Sequence, residues 1–257
     1  MKQLTVLVTG ATAGFGQATA ARFLAEGHKV IAAGRRQERL DAFKKSLPAD
    51  QQARLHTTVL DVTVKDQVFA LPAQLPADFA NVSVLVNNAG LALGLEPAHQ
   101  VALDDWEKMV ETNIRGLMYM TRAFLPGMVE RGQGHVFNLG SIAGRYPYPG
   151  GNVYGGTKAF VRQFTLNLKS DLLGTPVRVT DVAPGLCSGT EFSNVRFKGD
   201  DAKAAKVYEG VQALTATDIA EAIYWAATLP AHVNINVIEM MPTCQASGPL
   251  AVHRKSS

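Results

Sequence analysis

Leu4-Thr5-Val6-Leu7-Val8-Thr9-Gly10-Ala11-Thr12-Ala13-Gly14-Phe15-Gly16 decides how this chain folds. A short aliphatic and β-branched run stops at a glycine-rich turn, and a helical pattern begins inside that turn. A strand followed at once by a helix is the opening of a strand–helix–strand unit. Glycines at such a turn let the backbone approach a pyrophosphate, and the helix N-terminus offers its unpaired N–H groups to the anion. The spacing is GxxxGxG rather than the commoner GxGxxG. Gly10, Thr12, Ala13, Gly14, Phe15 and Gly16 are therefore expected to bind a dinucleotide.

The same alternation continues along the chain. Further strands are predicted over residues 29–33, 54–60, 82–86, 135–139, 177–182 and 235–238. Helices are predicted over 14–26, 37–47, 64–75, 103–129, 153–173 and 216–228. Strands separated by helices need crossover connections and so form a parallel sheet. Near-continuous apolar strands fit a sheet covered on both faces. With no repeat and no linker, all 257 residues read as one doubly wound α/β domain with a mainly parallel, seven-stranded, Rossmann-type sheet. Residues 185–210 hold the one long stretch without a clear strand, and such segments are often lids.

The end of the second strand discriminates between cofactors. An acidic residue there would bond a ribose 2′-hydroxyl, but the chain has Arg35-Arg36. Two guanidinium groups suit a 2′-phosphate, which favours NADP over NAD. The pair also argues against a methyltransferase, which normally carries an acid at this place. Asp61-Val62, after the third strand, is placed to meet the adenine edge, although Asp61 could equally cap a helix.

Tyr154 and Lys158 lie four residues apart, with Ser141 thirteen residues before Tyr154. On a helix that spacing stacks the two side chains on one face. An ammonium about 4 Å from a phenolate stabilises it by roughly 4 kcal/mol at an effective dielectric of about 20. One pKa unit is about 1.36 kcal/mol, so the pair could bring a tyrosine from about 10 towards 7, the range of a general acid/base.

Composition narrows the classes. A formal net charge of +3, without any long basic run, speaks against nucleic acid as the main partner. Cys187 and Cys244 have no metal-ligand spacing, which predicts a reducing compartment and no structural metal. No stretch approaches the roughly 20 apolar residues of a membrane span. A cytoplasmic protein is expected.

Taken together, the residue 9–16 turn, Asn87-Asn88-Ala89-Gly90, Asn113, Ser141, Tyr154 with Lys158, and Pro184-Gly185 resemble the short-chain dehydrogenase/reductase family over essentially the whole chain. The resemblance implies hydride transfer with a nicotinamide cofactor and a catalytic tetrad of Asn113, Ser141, Tyr154 and Lys158. Tyr154 would exchange the proton with the substrate oxygen and Ser141 would orient that oxygen. Lys158 would lower the Tyr154 pKa and hold the nicotinamide ribose. The Asn113 carbonyl would hold a water linking Lys158 to solvent. Asn88 and Gly90 would face the cofactor, with Asn87 supporting the sheet. Pro184, Gly185, Cys187, Thr190 and Phe192 would wall the nicotinamide; either Ser188 or Thr190 could meet its carboxamide, and Cys187 reads as a small filler.

Several stretches are similar to one subgroup, the NADP-dependent 3-hydroxy acid dehydrogenases: residues 34–40, 90–94, 190–200 and 229–236. This similarity implies small hydroxy acids or the corresponding semialdehydes as substrates. A small acid needs a cation for its carboxylate, and Arg145, Arg196 and Lys198 are the candidates. The family also implies a homotetramer built on the two long helices, with His253-Arg254-Lys255 a candidate for reaching a neighbouring subunit. A broad carbonyl or alcohol reductase is the alternative activity, and a non-catalytic NADP-binding regulator a more distant one.

Overall fold

The computed structural model describes residues 3–247. His253, Arg254 and Lys255 lie outside them. The strands are β1 (Thr5–Thr9), β2 (Lys29–Gly34), β3 (Leu55–Val59), β4 (Val84–Asn87), β5 (Gly134–Leu139), β6 (Val177–Pro184) and β7 (Val237–Met240). They form one sheet in the order β3-β2-β1-β4-β5-β6-β7, and each neighbouring pair is parallel. The expected sheet is therefore present, with its last strand two residues later than the apolar pattern suggests.

Helices α1 (Gly14–Ala25), α2 (Gln37–Ser46), α3 (Ala49–Gln52), α4 (Lys65–Gln74), α5 (Leu103–Val110), α6 (Leu117–Glu130), α7 (Asn152–Asp171), α8 (Phe192–Arg196), α9 (Asp201–Lys206) and α10 (Ala216–Thr228) fill the connections. Successive strand side chains point to opposite faces. Val6 and Val8 accordingly meet Phe23 and Leu24 of α1 and Ile219 and Ile223 of α10 on one face. Leu7 meets Val68 of α4, Met120 and Phe124 of α6 and Leu168 of α7 on the other. That two-sided burial is why the strands read as unbroken apolar runs.

The expected helix over 103–129 is interrupted. Residues Glu111–Gly116 make a π-helical turn between α5 and α6. Such turns occur frequently at functional sites, and Asn113 sits inside this one. Periodicity cannot reveal it, because one widened turn barely changes which residues face inward.

His135 at the start of β5 is 1 % exposed. Thr180 donates its hydroxyl proton to the Ile235 carbonyl at 2.6 Å and so accepts from His135 Nε2 at 2.8 Å. Burial and the charge of Arg178 hold the imidazole neutral, well below its ordinary pKa of 6.5. Below about pH 6.5 the unfolded chain takes up a proton that the folded chain refuses. Stability present above that pH is then lost as the pH falls, by up to about 1.4 kcal/mol per pH unit. Denaturant unfolding at pH 7 and 5 should show this loss, and His135→Leu should make the decline visibly shallower. An equally steep decline in that variant would assign the effect to other groups.

Candidate active site

Every element that contributes to the site delivers it to the C-terminal edge of the sheet. The turn after β1 comes first. Gly10 and Gly14 have φ of 65° and 53°, where a side chain would be strained. A Cβ on Gly16 would lie 2.4 Å from the Gly10 carbonyl oxygen, so this glycine lets α1 pack against the turn. Gly16 does not line the cleft, which corrects its expected part as a direct contact: its role is close packing. Gly10, Thr12, Ala13, Gly14 and Phe15 do line it. Ala13 caps α1 without any side-chain hydrogen bond. The first N–H groups of the helix are therefore left for an external anion.

Thr9 locks this turn to the next strand. Its hydroxyl accepts from Asn88 N and Ala89 N, both at 3.0 Å, and donates to Val86 O. The Asn88 amide donates to Thr9 O and Gly10 O at 2.8 and 3.3 Å, so its side chain holds the turn while the residue lines the cleft. Asn87 is buried and donates to Thr121 and Asn138, bracing the sheet as expected.

Arg35 and Arg36 line the far end of the cleft beside Gly34, with Asp61 and Val62. Arg36 donates to Thr12 Oγ1 at 3.0 Å and pairs with Glu191 at 2.7 Å; Arg39 reaches the same carboxylate at 3.3 Å. These two guanidiniums hold the Glu191 carboxyl below its ordinary range. Glu191 thus ties the segment after β6 to the arginine pair, a link invisible in sequence because 155 residues separate the partners. Asp61 accepts from Thr63 N and Oγ1 in a local turn rather than capping α4.

At the other end stand Ser141, Tyr154 and Lys158, all lining the cleft. Tyr154 and Lys158 fall on the inward face of the 20-residue α7. Ser141 Oγ accepts from Ala143 N at 3.1 Å and so also caps the short turn Ile142–Gly144. The Lys158 ammonium donates to Leu139 O at 2.6 Å and stands 5.9 Å from the Tyr154 ring centre. Burial pushes the Tyr154 hydroxyl up to about 12, while the charge of Arg196 and a hydrogen bond from Ser141 pull it down. Burial likewise pushes Lys158 down to about 8. The expectation that the pair brings Tyr154 near 7 is thereby corrected: burial dominates, and the ammonium is turned towards a backbone carbonyl. In the unloaded protein Tyr154 is a phenol.

Asn113 does not line the cleft. Its amide donates to Leu91 O at 2.9 Å and Thr157 Oγ1 at 3.0 Å, and its oxygen accepts from Leu91 N at 2.9 Å. It fastens the loop after β4 to α7. A Cβ on Gly90 would stand 3.2 Å from Asn113 Oδ1 and 3.6 Å from Lys158 Nζ, so glycine there leaves these side chains their places.

Pro184, Gly185, Cys187, Thr190 and Phe192 form the wall after β6. Thr190 lies against Gly14, whereas Ser188 is paired through its backbone to Leu214 at 2.8 Å and does not line the cleft. Burial pushes the Cys187 thiol up to about 12, so it is inert filler.

Of the three candidate cations only Arg196 enters the cleft. It donates to the Tyr148 hydroxyl at 2.7 Å and lies 5.0 Å from the Tyr154 ring centre and 5.1 Å from that of Phe192. Its buried Nε has no hydrogen-bond partner among the described residues. Arg145 is corrected as a substrate contact: it is turned outward onto Glu239 at 2.8 Å. Lys198 pairs with Asp105 at 2.8 Å. Tyr148, which completes the box around Arg196, carries no sequence signal of its own.

The cleft has a volume of about 630 Å³ and runs from the arginine pair to Tyr154. Over residues 4–201 the sequence matches the short chain dehydrogenase family. The chain belongs to that family. It is 62% identical over 251 residues to an NADP-dependent 3-hydroxy acid dehydrogenase of Salmonella typhi, covering 98% of this chain and all of that one. It is 52% identical over 252 residues to a serine 3-dehydrogenase of Agrobacterium fabrum, covering 98% of this chain and 99% of that one. A closed form of a serine dehydrogenase complexed with NADP+ superposes with a TM-score of 0.94 at 60% identity, over 97% and 99% of the two chains. This short-chain dehydrogenase has no candidate metal cluster among its described residues, and none of their helices is long and apolar enough to cross a membrane.

Proposed function

We propose that the chain is an NADP-dependent oxidoreductase that interconverts the 3-hydroxyl and 3-oxo groups of small 3-hydroxy acids. One observation carries the reading: Tyr154, Ser141 and the Arg196 cation meet at one end of a cleft whose other end is lined by Arg35 and Arg36. The uncapped α1 terminus, the two positive-φ glycines and the arginine pair fit a pyrophosphate and a 2′-phosphate. NADP supplies the hydride acceptor when bound. Gly185, Thr190 and Phe192 would wall it, and Lys158 would hold its nicotinamide ribose.

Tyr154 moves the proton between its hydroxyl and the substrate oxygen, and Ser141 hydrogen-bonds that oxygen to fix its direction. Arg196 holds the carboxylate through its guanidinium and, with Ser141, favours the Tyr154 phenolate. Asn113 serves by fixing Leu91 and α7 relative to one another. Residues 185–210 act as a lid that brings Arg196 and Glu191 to the cleft together. The likeness to the 3-hydroxy acid and serine dehydrogenases supports this substrate class.

A cytoplasmic homotetramer is proposed on two grounds. Among the described residues both cysteines are free thiols. Leu103 before the π turn and Met118 after it are exposed, and half-buried Phe160 stacks on Phe164 along α7.

The test is the initial rate of NADP+ reduction over 3-hydroxy acids, 2-hydroxy acids and neutral alcohols. Arg196→Gln should raise KM for 3-hydroxy acids about tenfold to a hundredfold, the worth of one charged contact. KM for neutral alcohols should stay within about twofold. Equal effects on both would favour a broad alcohol or carbonyl reductase.

A further inference from the structure

Asp181 lies on β6, 1 % exposed, and the chemistry above does not use it. Its Oδ1 accepts no hydrogen bond from the described residues. An ionisable group sealed in a sheet is costly unless something nearby needs its charge. Along β6, Val177, Val179 and Asp181 share the face that α7 covers, where Leu168 packs on the two valines. Asn138 on β5 pairs with Asp181 in register, which brings the carboxylate against the next peptide along, Leu139–Gly140. A Cβ on Gly140 would lie 2.1 Å from Asp181 Oδ1. Only glycine leaves the carboxylate that place.

The oxygen of that same peptide is the one Lys158 grips, at 2.6 Å. The Gly140 N–H is turned to the Asn138 carbonyl at 3.1 Å, so the carboxylate meets the Gly140 Cα while the ammonium holds the Leu139 oxygen, and the two charges flank one short stretch of backbone. We propose that Asp181 is a positioning residue for Lys158, anchoring the buried ammonium and keeping it charged across the Leu139–Gly140 peptide. This rests on the assignment of Lys158 to the reaction made above.

The mutual influence runs both ways: the charge of Asp181 raises Lys158 against burial, and the charge of Lys158 lowers Asp181 against burial. Other charged groups face the carboxylate as well. Arg162 on α7 favours its ionised form, and Glu239 on β7 opposes it. Tyr154 faces Lys158 from the preceding turn of α7. Removing the Asp181 charge lets Lys158 lose its proton at lower pH. A rate that needs the ammonium then falls off at lower pH too.

Two measurements test this. Side-chain nitrogen resonances of isotope-labelled lysine give the titration of Lys158 in the unloaded protein, with its signal identified by its loss in Lys158→Met. In Asp181→Asn that titration should move down by about one pH unit, or tenfold in proton concentration. The alkaline limb of kcat for 3-hydroxy acid oxidation should move down alongside, with KM for NADP+ unchanged. Gly140→Ala should displace the carboxylate and move both readouts in the same direction with Asp181 present. A folded Asp181→Asn whose Lys158 titrates as in the parent overturns the proposal. If the parent itself shows no NADP-dependent turnover, the proposed function falls, while the resonance titration still decides the part of Asp181.

Discussion

Tyr154→Phe will lower kcat about a thousandfold or more and leave the dissociation constant for NADPH within about twofold. The ring is buried and packs on Phe192, with centres 5.8 Å apart, so removing one oxygen preserves its packing. What is lost is the hydroxyl that, in the proposed reaction, gives its proton to the substrate oxygen. Burial pushes that group up to about 12 in the unloaded protein, so carbonyl reduction starts from a proton already in place. Alcohol oxidation needs the phenolate, which Arg196 and Ser141 favour, and its rate should climb with pH through the neutral range. Stopped-flow fluorescence separates cofactor binding from turnover. A variant that turns over at even a tenth of the parental rate would remove Tyr154 from proton transfer.

The second large effect concerns the cofactor. Replacing Arg35 and Arg36 together by alanine should weaken NADPH binding about a hundredfold or more. Charged hydrogen bonds of this kind are each worth about 1.5–3 kcal/mol. NADH lacks the 2′-phosphate and should change by less than about threefold. The single variants should differ. Arg36 already shares Thr12 and Glu191, so its loss also frees the segment after β6. Arg35 lines the cleft and has no such link among the described residues, and its removal should act on the phosphate alone. Equal losses for both cofactors in the double variant would refute the 2′-phosphate reading.

What can be read from the sequence divides along a physical line. The glycine turn, the arginine pair and the Tyr154–Lys158 spacing are local patterns: each sets geometry within a few residues, so composition and spacing carry it. The sheet is similarly legible, because burial on both faces forces unbroken apolar runs such as Val84-Leu85-Val86. Arg145 and Arg196 cannot be told apart this way. Both are arginines in segments bordering the cleft, and only the fold turns one onto Glu239 and the other onto Tyr148. Asn113 is a similar case. Its value lies in hydrogen bonds to Leu91 and Thr157, 22 and 44 residues away. The Tyr154 acidity could not be foreseen from charge spacing, because burial decides its sign.

The strand order has one more consequence. The arginine pair hangs on β2 and α2, at one side of the sheet. Tyr154, Lys158 and Asp181 hang on α7 and β6, at the other. Between them run β1 and β4, whose register joins Val6–Val8 to Val84–Val86 without carrying either group. Exchanging the connection after β2 for one bearing an acidic residue should therefore convert the enzyme to the unphosphorylated coenzyme while leaving its proton chemistry intact. Such a graft would be felt at Thr12 and at Glu191, the two partners of the Arg36 guanidinium, and the Glu191 carboxylate would need replacing in the same step.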